Sequence, residues 1–314
     1  MNGLSDAALR HLQEVADLPD LSGTPYEIVE AIGRGGMGTV YRALDRKLDR
    51  EIALKVVQAP GGSGEDVERL LREARVLARL EHPGIVPVHD AGLLPDGRAY
   101  YAMKRVRGRR LDEYAATVSL PERLRAFERI CEAVAFAHAH GIIHRDLKPE
   151  NVMVGPFGEV LVMDWGVAKV TGLPPLSPGE DGRRSEGTAH GTILGTPGYM
   201  APEQERGEVE RIDERTDVWA LGALLAFLLA GAAVPKPLEA IRRRAMAAKP
   251  EARYPKVEEL AADLARYLAG LPVGAYREGL LERAGRFARR HRMPILLVLA
   301  YLIMRFLLIL WFGR

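Results

Sequence analysis

Alternating hydrophobic and polar residues dominate the first third of the chain and predict short β-strands. Gly, Asp or Pro residues separate the predicted strands, which are YEIVEAIG (26–33), TVYRALD (39–45), EIALKVV (51–57), IVPVHDAGL (85–93) and RAYYAMK (98–104). One helix interrupts them, because EDVERLLREARVLARL (65–80) repeats apolar residues every three or four positions.

Beyond residue 110 the hydrophobic spacing becomes mainly helical. The predicted helices lie in PERLRAFERICEAVAFAHAHG (121–141), TDVWALGALLAFLLAG (216–231), PLEAIRRRAMAA (237–248) and VEELAADLARYL (257–268). A β-rich lobe followed by a helical lobe indicates an α+β fold, and a cleft between the lobes is the expected place for a ligand.

Two segments depart from this pattern. MNGLSDAALRHLQEVADL (1–18) is typical of a short amphipathic helix capped by Ser5 or Asp6, so residues 1–25 are interpreted as a helix and linker without a secretory signal. TGLPPLSPGEDGRRSEGTAHGT (171–192) is rich in Gly, Pro and Ser and lacks hydrophobic periodicity, which predicts a long functional loop.

The final hydrophobic run, ILLVLAYLIMRFLLILWF (295–312), contains 18 residues and one charge, Arg305. As a helix it would be roughly 27 Å long, close to the ~30 Å hydrocarbon thickness of a bilayer. Arg305 would cost about 2.5 to 3.5 kcal/mol at the bilayer centre, whereas the 13 Leu, Ile, Val and Phe residues would contribute about 4 to 8 kcal/mol. This balance predicts a transmembrane helix over 294–312; a hydrophobic helix docked on a soluble core or partner is the alternative.

The charges flanking this run predict its orientation. A basic juxtamembrane segment (269–293) precedes it and contains Arg283, Arg286, Arg289, Arg290 and Arg292, whereas only Arg314 follows. The positive-inside rule therefore predicts a single-pass protein of the cell membrane whose upstream domain is cytoplasmic. With only two residues after the run, direct sensing of an external ligand is not expected.

The composition narrows the function classes only slightly. Hydrophobic residues make up 47% of the 314 positions, which argues against disorder. Lys and Arg total 44 against 42 Asp and Glu, so net charge gives no indication of a nucleic-acid partner. The one cysteine, Cys131, can form neither an internal disulfide nor a thiolate metal site, and is expected to be a buried thiol in a reducing compartment.

GRGGMGTV (33–40) is a candidate phosphate-binding loop, because its glycines would let backbone N–H groups approach phosphate oxygens. A structural turn or a dinucleotide-binding fingerprint are alternatives, but such a fingerprint opens a helix and TVYRALD predicts a strand. Lys55, in the apolar strand IALK, needs a counter-charge, and Glu73 on the predicted helix is the candidate. An ordinary surface salt bridge is the alternative for this pair.

HRDLKPEN (144–151) is too polar for a core and suits a catalytic loop. The Asp146 carboxylate could orient a hydroxyl and accept its proton, and Lys148 could neutralise a transferring phosphoryl group. Asn151 offers an amide oxygen to a hard cation, and Asp164 of MDWG offers a second oxygen ligand suited to Mg²⁺.

These segments resemble the eukaryotic-like protein kinases over residues 26–268. Six motifs occur in the family's order: the Gly-rich loop, IALK, a helical glutamate, HRDLKPEN, DWG, and GTPGYMAPE (195–203) followed by DVWALG (217–222). The combination of GRGGMGTVYRA, HRDLKPENVMV and GTPGYMAPEQ is most similar to bacterial serine/threonine kinases, many of which carry one membrane helix. The resemblance implies the bilobal protein kinase fold, with an N-lobe (26–106) and a C-lobe (107–268).

The resemblance also implies the activity and its site. The chain would transfer the γ-phosphoryl group of ATP to Ser or Thr of protein substrates, with Mg²⁺. Asp146 would be the catalytic base, Lys148 the phosphoryl clamp, Lys55 with Glu73 the phosphate-holding pair, and Asn151 and Asp164 the Mg²⁺ ligands. The nucleotide pocket would comprise Ile32, Gly33, Gly35, Gly36, Gly38, Val40, Ala53, Met103 as gatekeeper, the hinge backbone of Lys104 to Val106, and Met153.

Regulation is implied by the same resemblance. Arg145 beside the base suggests control by loop phosphorylation over residues 166–195, with autophosphorylation in a homodimer as one route. Thr188 and Thr192 are the favoured phosphosites by position, ahead of Ser177 and Ser185, whereas Thr196 is expected to contact the catalytic loop. Glu203 would pair with Arg253.

Two departures from the family pattern bear on activity. Trp165 replaces the usual Phe after Asp164 and is expected to fill the same apolar slot. Only AAVPKP (232–237) stands where the family places a loop and another helix, which questions substrate docking on that face. A membrane-tethered pseudokinase scaffold is therefore the alternative to an active enzyme. A small-molecule phosphotransferase is disfavoured, because GTPGYMAPE is not expected in one.

Overall fold

The structure is a computed structural model that describes residues 18–35, 38–57, 64–165, 168–170, 197–280, 282–285 and 291–312. Several predictions concern residues outside these ranges. They are the N-terminal helix within 1–17, Gly36, the arginines Arg286, Arg289 and Arg290 of the basic segment 269–293, and the loop residues Ser177, Ser185, Thr188, Thr192 and Thr196.

The N-lobe is a five-stranded antiparallel sheet with strand order β1-β2-β3-β5-β4. Its strands are β1 (Tyr26–Gly35), β2 (Gly38–Asp45), β3 (Arg50–Val56), β4 (Val88–Leu93) and β5 (Ala99–Lys104), and helix α1 (Gly64–Ala78) packs against β4 and β5. The prediction of a strand from residue 85 is wrong at its start. Ile85 forms only an isolated bridge, and Pro87 has no N–H to donate to a ladder.

Alternate residues of β3 face opposite sides of the sheet. Ile52, Leu54 and Val56 enter one hydrophobic cluster, whereas Ala53 enters the larger cluster that continues into the C-lobe. Glu51 and Lys55 therefore share the face of Ala53, because side chains two positions apart point the same way.

The C-lobe is mainly helical, as predicted. Its helices are α2 (Leu111–Ala115), α3 (Leu120–Ala139), α4 (Pro202–Glu205), α5 (Glu214–Leu229), α6 (Lys236–Ala245) and α7 (Val257–Leu268). Short strands complete it: β6 (Arg109–Arg110), β7 (Ile142–Ile143), β8 (Val152–Val154), β9 (Val160–Val162) and β10 (Lys169–Val170). Helix α3 contacts both α5 and α7, and its central residues Phe127, Ile130 and Val134 are fully buried.

Local signals in the sequence explain where two of these helices begin. Ser119 and Glu122 form a capping box at the start of α3, with the Ser119 backbone N–H donating to Glu122 at 2.9 Å. Asp213 caps α5 by accepting from the Arg215 backbone N–H at 2.8 Å. In both helices the cap satisfies backbone N–H groups at the N-terminus and stabilises the first turn.

The segment after α5 is short, as the sequence indicates. Helix α6 begins at Lys236 and packs directly on α5, where a Cβ on Gly222 would come within 2.6 Å of the Met246 side chain. The glycine is therefore required by the close approach of the two helices.

The chain ends in helix α8 (Arg292–Phe312), whose residues such as Leu297, Leu302 and Phe306 are exposed. Among the residues that the structure describes, no helix combines the length and the apolar character needed to cross a membrane.

Candidate active site

Lys55 and Glu73 form a buried ion pair between β3 and α1. The Lys55 Nζ atom donates to both carboxylate oxygens of Glu73 at 2.8 Å, and the Glu73 side chain is 1% exposed. The Tyr101 hydroxyl on β5 also donates to Glu73, at 2.8 Å. Burial, together with the charge of Glu73, raises the pKa of Tyr101. The predicted pairing is present, and its burial distinguishes it from an ordinary surface salt bridge.

Asp164 brings a second carboxylate to the same lysine. Its Oδ1 atom lies 3.6 Å from the Lys55 Nζ atom, and its side chain is 48% exposed. The Asp164 backbone has φ +60°, a left-handed conformation that is uncommon outside glycine. Such strain is characteristic of functional sites, where surrounding packing maintains it.

Trp165 supplies that packing. Its side chain is 1% exposed, its ring lies 4.5 Å from the His144 ring, and its indole N–H donates to the Val162 carbonyl at 3.4 Å. Trp165 is thus buried in the main hydrophobic cluster, whereas the Asp164 side chain remains partly exposed.

Asp146, Lys148 and Asn151 converge in the loop before β8. The Lys148 Nζ atom lies 2.8 Å from Asp146 Oδ2. The Asn151 amide nitrogen donates to the Asp146 carbonyl at 2.8 Å and to its carboxylate at 3.2 Å. The Asp146 carboxylate is therefore held in one orientation by two side chains of its own loop.

Asp217 of α5 binds the backbone of this loop, a role that the sequence interpretation missed. Its carboxylate accepts from the backbone N–H groups of His144 at 2.8 Å and Arg145 at 2.9 Å, and lies 2.7 Å from the His138 ring. Arg145 has φ +67°, so the loop carries a second strained residue held by these bonds. The only sequence signal was an acidic residue inside the otherwise apolar DVWALG.

His138 and Asp217 influence each other's ionisation. Burial disfavours a charged imidazole, but the hydrogen bond and charge of Asp217 outweigh it and raise the pKa of His138. Burial likewise opposes the charged carboxylate, but the hydrogen bond from His138 outweighs it and keeps the pKa of Asp217 below its usual value. Both groups are therefore charged together between their ordinary pKa values of 3.8 and 6.5.

The predicted pair between Glu203 and Arg253 is present and fully buried. The Nη1 and Nη2 atoms of Arg253 each donate to Glu203 at 2.7 Å, and the Thr216 hydroxyl donates to the same carboxylate at 3.0 Å. The next residue, Gln204, donates from its side chain to the Arg145 carbonyl at 2.8 Å. The segment around Glu203 is thereby joined to both the helical base and the catalytic loop.

The glycine-rich segment forms a β-hairpin, with Gly35 paired to Gly38 at its tip. A Cβ on Gly38 would lie 2.1 Å from the Val56 carbonyl oxygen, so the approach of β2 to β3 alone demands glycine there. The hairpin continues into strand β2 rather than a helix, which excludes the dinucleotide-binding fingerprint here. Gly33 and Gly35 meet no such obstacle in the folded chain.

The residues predicted to enclose adenine occupy the two lobes. Ala53 pairs with Met103 across β3 and β5, and both are buried, whereas Val40 is half-buried against the same cluster. Met153 is half-buried on β8 between the buried Val152 and Val154, and points away from them. Ile32 is 49% exposed on β1.

The donor set fits a magnesium ion. Asn151 uses its amide nitrogen for Asp146, which leaves the amide oxygen as the atom that can bind a cation. Asp164 adds a partly exposed carboxylate. One or two protein oxygens completed by phosphate oxygens is the usual environment of Mg²⁺ in phosphoryl-transfer enzymes.

Comparisons with known proteins identify a matching family model and similar sequences. A family model described as the protein kinase domain matches residues 26–267. Serine/threonine-protein kinase PknD of Chlamydia trachomatis serovar D is 33% identical over 326 residues, covering 87% of this chain and 34% of that protein. PknD of Chlamydia felis is 35% identical over 295 residues, covering 79% of this chain and 31% of that protein. The chain thus spans about a third of the length of the curated relatives it matches.

A solved structure shows the same two-lobed fold. The kinase domain of Mycobacterium tuberculosis PknI superposes with a TM-score of 0.57 at 26% identity, covering 77% of this chain and 95% of that chain. The match extends across both lobes, and the family model covers most of the chain. The chain therefore belongs to the protein kinase family.

Proposed function

We propose that the chain is a serine/threonine protein kinase that transfers the γ-phosphoryl group of ATP, with Mg²⁺, to hydroxyl groups of protein substrates. The observation that carries this proposal is the convergence on Lys55, whose ammonium contacts Glu73 at 2.8 Å and Asp164 at 3.6 Å. The similarity to PknD, named as a serine/threonine-protein kinase, supports the choice of acceptor.

The side chains of the proposed site have different roles in the reaction. Asp146 accepts the proton of the acceptor hydroxyl. The oxygen of that hydroxyl then bonds to the γ-phosphorus of ATP, and the bond between the γ-phosphorus and the β–γ bridging oxygen breaks, which releases ADP. Lys148, 2.8 Å from Asp146, stabilises the negative charge on the transferring group. Lys55, oriented by Glu73, holds the α- and β-phosphates.

Asn151 and Asp164 are proposed to hold Mg²⁺, which neutralises charge on the phosphates when it is bound. The strained turn at Asp164 keeps that carboxylate beside Lys55. The pocket for adenine is proposed between Val40 and Ala53 above and Met153 below, with the backbone of Lys104 to Val106 as the hinge.

A nucleotide-binding scaffold without turnover is the second candidate. Two departures motivate it, namely Trp165 and the short link before α6. The buried position of Trp165 leaves Asp164 beside Lys55, and each proposed catalytic side chain is present with its partner. These contacts favour the active enzyme.

The test is phosphoryl transfer by the full chain in detergent, with radiolabelled ATP and Mg²⁺, followed by phosphoamino-acid analysis. We expect label on Ser or Thr with the native chain, its loss with Asp146→Asn, and its retention with the control Asp112→Asn. Asp112 lies on α2 and pairs with Arg110 at 3.0 Å, outside the proposed machinery. A native chain that binds nucleotide but gives no label under Mg²⁺ or Mn²⁺ would favour the scaffold.

We also propose that residues 294–312 anchor the chain in the cell membrane as a single pass, with the kinase domain cytoplasmic. No helix of the described residues meets both requirements for a membrane span, so this proposal rests on the sequence, which contains one charge in residues 295–312, and on the exposure of Leu297, Leu302 and Phe306. Cell fractionation of the full chain and of a chain ending at residue 293 tests this. Recovery of both forms in the soluble fraction would refute the anchor.

A further inference from the structure

Glu51, at the start of β3, is an acidic residue on which three arginines converge. Its Oε1 atom accepts from Arg42 Nη1 at 2.9 Å, and its Oε2 atom accepts from Arg107 Nη2 at 2.6 Å. Arg105 Nη1 also donates to Oε2. Bonds from Arg107 and Arg42, with a smaller one from Arg105, lower the pKa of Glu51 to about 2, so the carboxylate stays charged at neutral pH.

The position of Glu51 relates it to the nucleotide site. Glu51, Ala53 and Lys55 alternate along β3 and therefore share one face of the sheet. Lys55 lies at the phosphate end of this row, and Ala53 occupies the proposed adenine position. Glu51 is the third residue of this row. It lies near the start of β3, beside the end of β5, because the neighbouring Ile52 pairs with Lys104.

The arginines that Glu51 holds come from two structural elements. Arg42 belongs to β2, on the same face as Val40. Arg105 and Arg107 flank Val106, whose backbone belongs to the proposed hinge. One carboxylate thus connects the proposed hinge to the sheet of the N-lobe, and Arg42 extends the network to Glu30 on β1 at 2.8 Å.

An isolated exposed ion pair contributes little to a fold, and Arg46 with Glu27 is such a pair, at 66% and 50% exposure. Glu51 differs from it in two respects. Its side chain is 29% exposed and binds three guanidinium groups rather than one. It also lies beside KRVRGRR (104–110), a segment that begins with the proposed hinge and in which five of seven residues are basic. Loss of its charge would leave Arg105 and Arg107 repelling each other and their basic neighbours.

We propose that Glu51 is a positioning residue for nucleotide binding, which fixes the backbone of Lys104 to Val106 by clamping the arginines on both sides of Val106. This inference rests on the proposed ATP site and assigns it a residue that does not touch the nucleotide. Its effect should appear in nucleotide affinity and not in the chemical step, because the groups around Asp146 are unaffected.

The test compares Glu51→Gln with the native full chain and with the matched control Glu27→Gln. The dissociation constant of a non-hydrolysable ATP analogue with Mg²⁺ is measured by calorimetry, and KM for ATP and kcat are measured by phosphoryl transfer. For Glu51→Gln we expect the dissociation constant and KM to rise about fivefold. We expect kcat at saturating ATP to be unchanged, and Glu27→Gln to behave as the native chain.

A double-mutant cycle separates positioning from a general loss of stability. Arg105→Gln combined with Arg107→Gln should raise the dissociation constant similarly, and adding Glu51→Gln to that background should cause no further rise. If Glu51→Gln does not fold, the paired arginine variant gives the same test alone. Unchanged affinity in these variants, an equal rise in Glu27→Gln, or a fall in kcat without a change in affinity would overturn the inference.

Calorimetry distinguishes failure of the inference about Glu51 from failure of the proposed kinase activity. A native chain that binds the analogue but transfers no phosphoryl group refutes the proposed activity, while the comparison of affinities still decides the role of Glu51. A native chain that does not bind the analogue refutes both.

Discussion

The ammonium of Lys55 is bound by Glu73 at 2.8 Å from both carboxylate oxygens, and it lies 3.6 Å from Asp164. The contact to Glu73 joins β3 to α1, and the contact to Asp164 joins the N-lobe to the turn after β9. The Lys55 ammonium therefore connects three elements, namely β3, α1 and the turn after β9. Its remaining partner in the proposed reaction is the triphosphate.

Replacing Lys55 should strongly reduce phosphoryl transfer. Lys55→Met removes the charge proposed to hold the phosphates, and loss of such a group lowers kcat/KM by at least about a hundredfold. Lys47→Met, on the exposed turn after β2, is the matched control and should retain activity. Activity of Lys55→Met near the native level would contradict the proposed role.

Trp165 should matter for its volume more than for its indole nitrogen. Trp165→Ala opens a cavity next to His144 and should lower the free energy of unfolding by about 3 to 5 kcal/mol. Trp165→Phe retains an aromatic ring there and should lose much less stability while preserving phosphoryl transfer. Chemical denaturation and the transfer assay measure both effects. An equal loss of activity in the two variants would show that the indole itself is required.

Breaking the buried pair between Glu203 and Arg253 should destabilise the C-lobe. Glu203→Gln leaves a guanidinium with 0% side-chain exposure without its counter-charge, at a cost of about 3 to 5 kcal/mol in the free energy of unfolding. The double variant Glu203→Gln with Arg253→Met removes the stranded charge and should recover part of that loss. Denaturation midpoints test this, and a double variant less stable than the single one would contradict it.

His138 should make stability depend on pH in a predictable direction. Its folded pKa is raised above the unfolded value of 6.5, so its contribution is fully present below about pH 6.5 and is lost as pH rises through the folded pKa. Asp217, Glu214 and Glu258 are the carboxylates that favour its charged form. The gap in Tm between the native chain and His138→Gln should therefore narrow from pH 6 to pH 9. A gap that stays constant or widens would contradict this assignment.

Sequence patterns predicted those parts of the site that lie within regular elements. The apolar stripe of residues 65–80 placed Glu73 in the middle of a helix, and the strand IALK fixed the face of Lys55. Patterning was less accurate at element ends. The apolar run predicted that β4 begins at Ile85, but the strand begins at Val88. Pro87 has no N–H group to donate to a neighbouring strand.

Contacts between distant segments could not be predicted in the same way. His138 and Asp217 are 79 positions apart and meet only because α3 packs on α5. The Tyr101 hydroxyl reaches Glu73 across 28 positions, through the packing of α1 on β5. Glu51 has the sequence environment of a solvated charge at a strand end, and only its three arginine partners distinguish it from one.

The proposed Mg²⁺–ATP site is tested by the position of the metal in a complex of the full chain with Mn²⁺ and a non-hydrolysable ATP analogue. Anomalous scattering from manganese locates it independently of the side chains. We predict the metal about 2.0 to 2.4 Å from the Asn151 amide oxygen and an Asp164 carboxylate oxygen, with the phosphates against Lys55. A metal and triphosphate bound elsewhere, with Asn151 and Asp164 directed away from them, would contradict it.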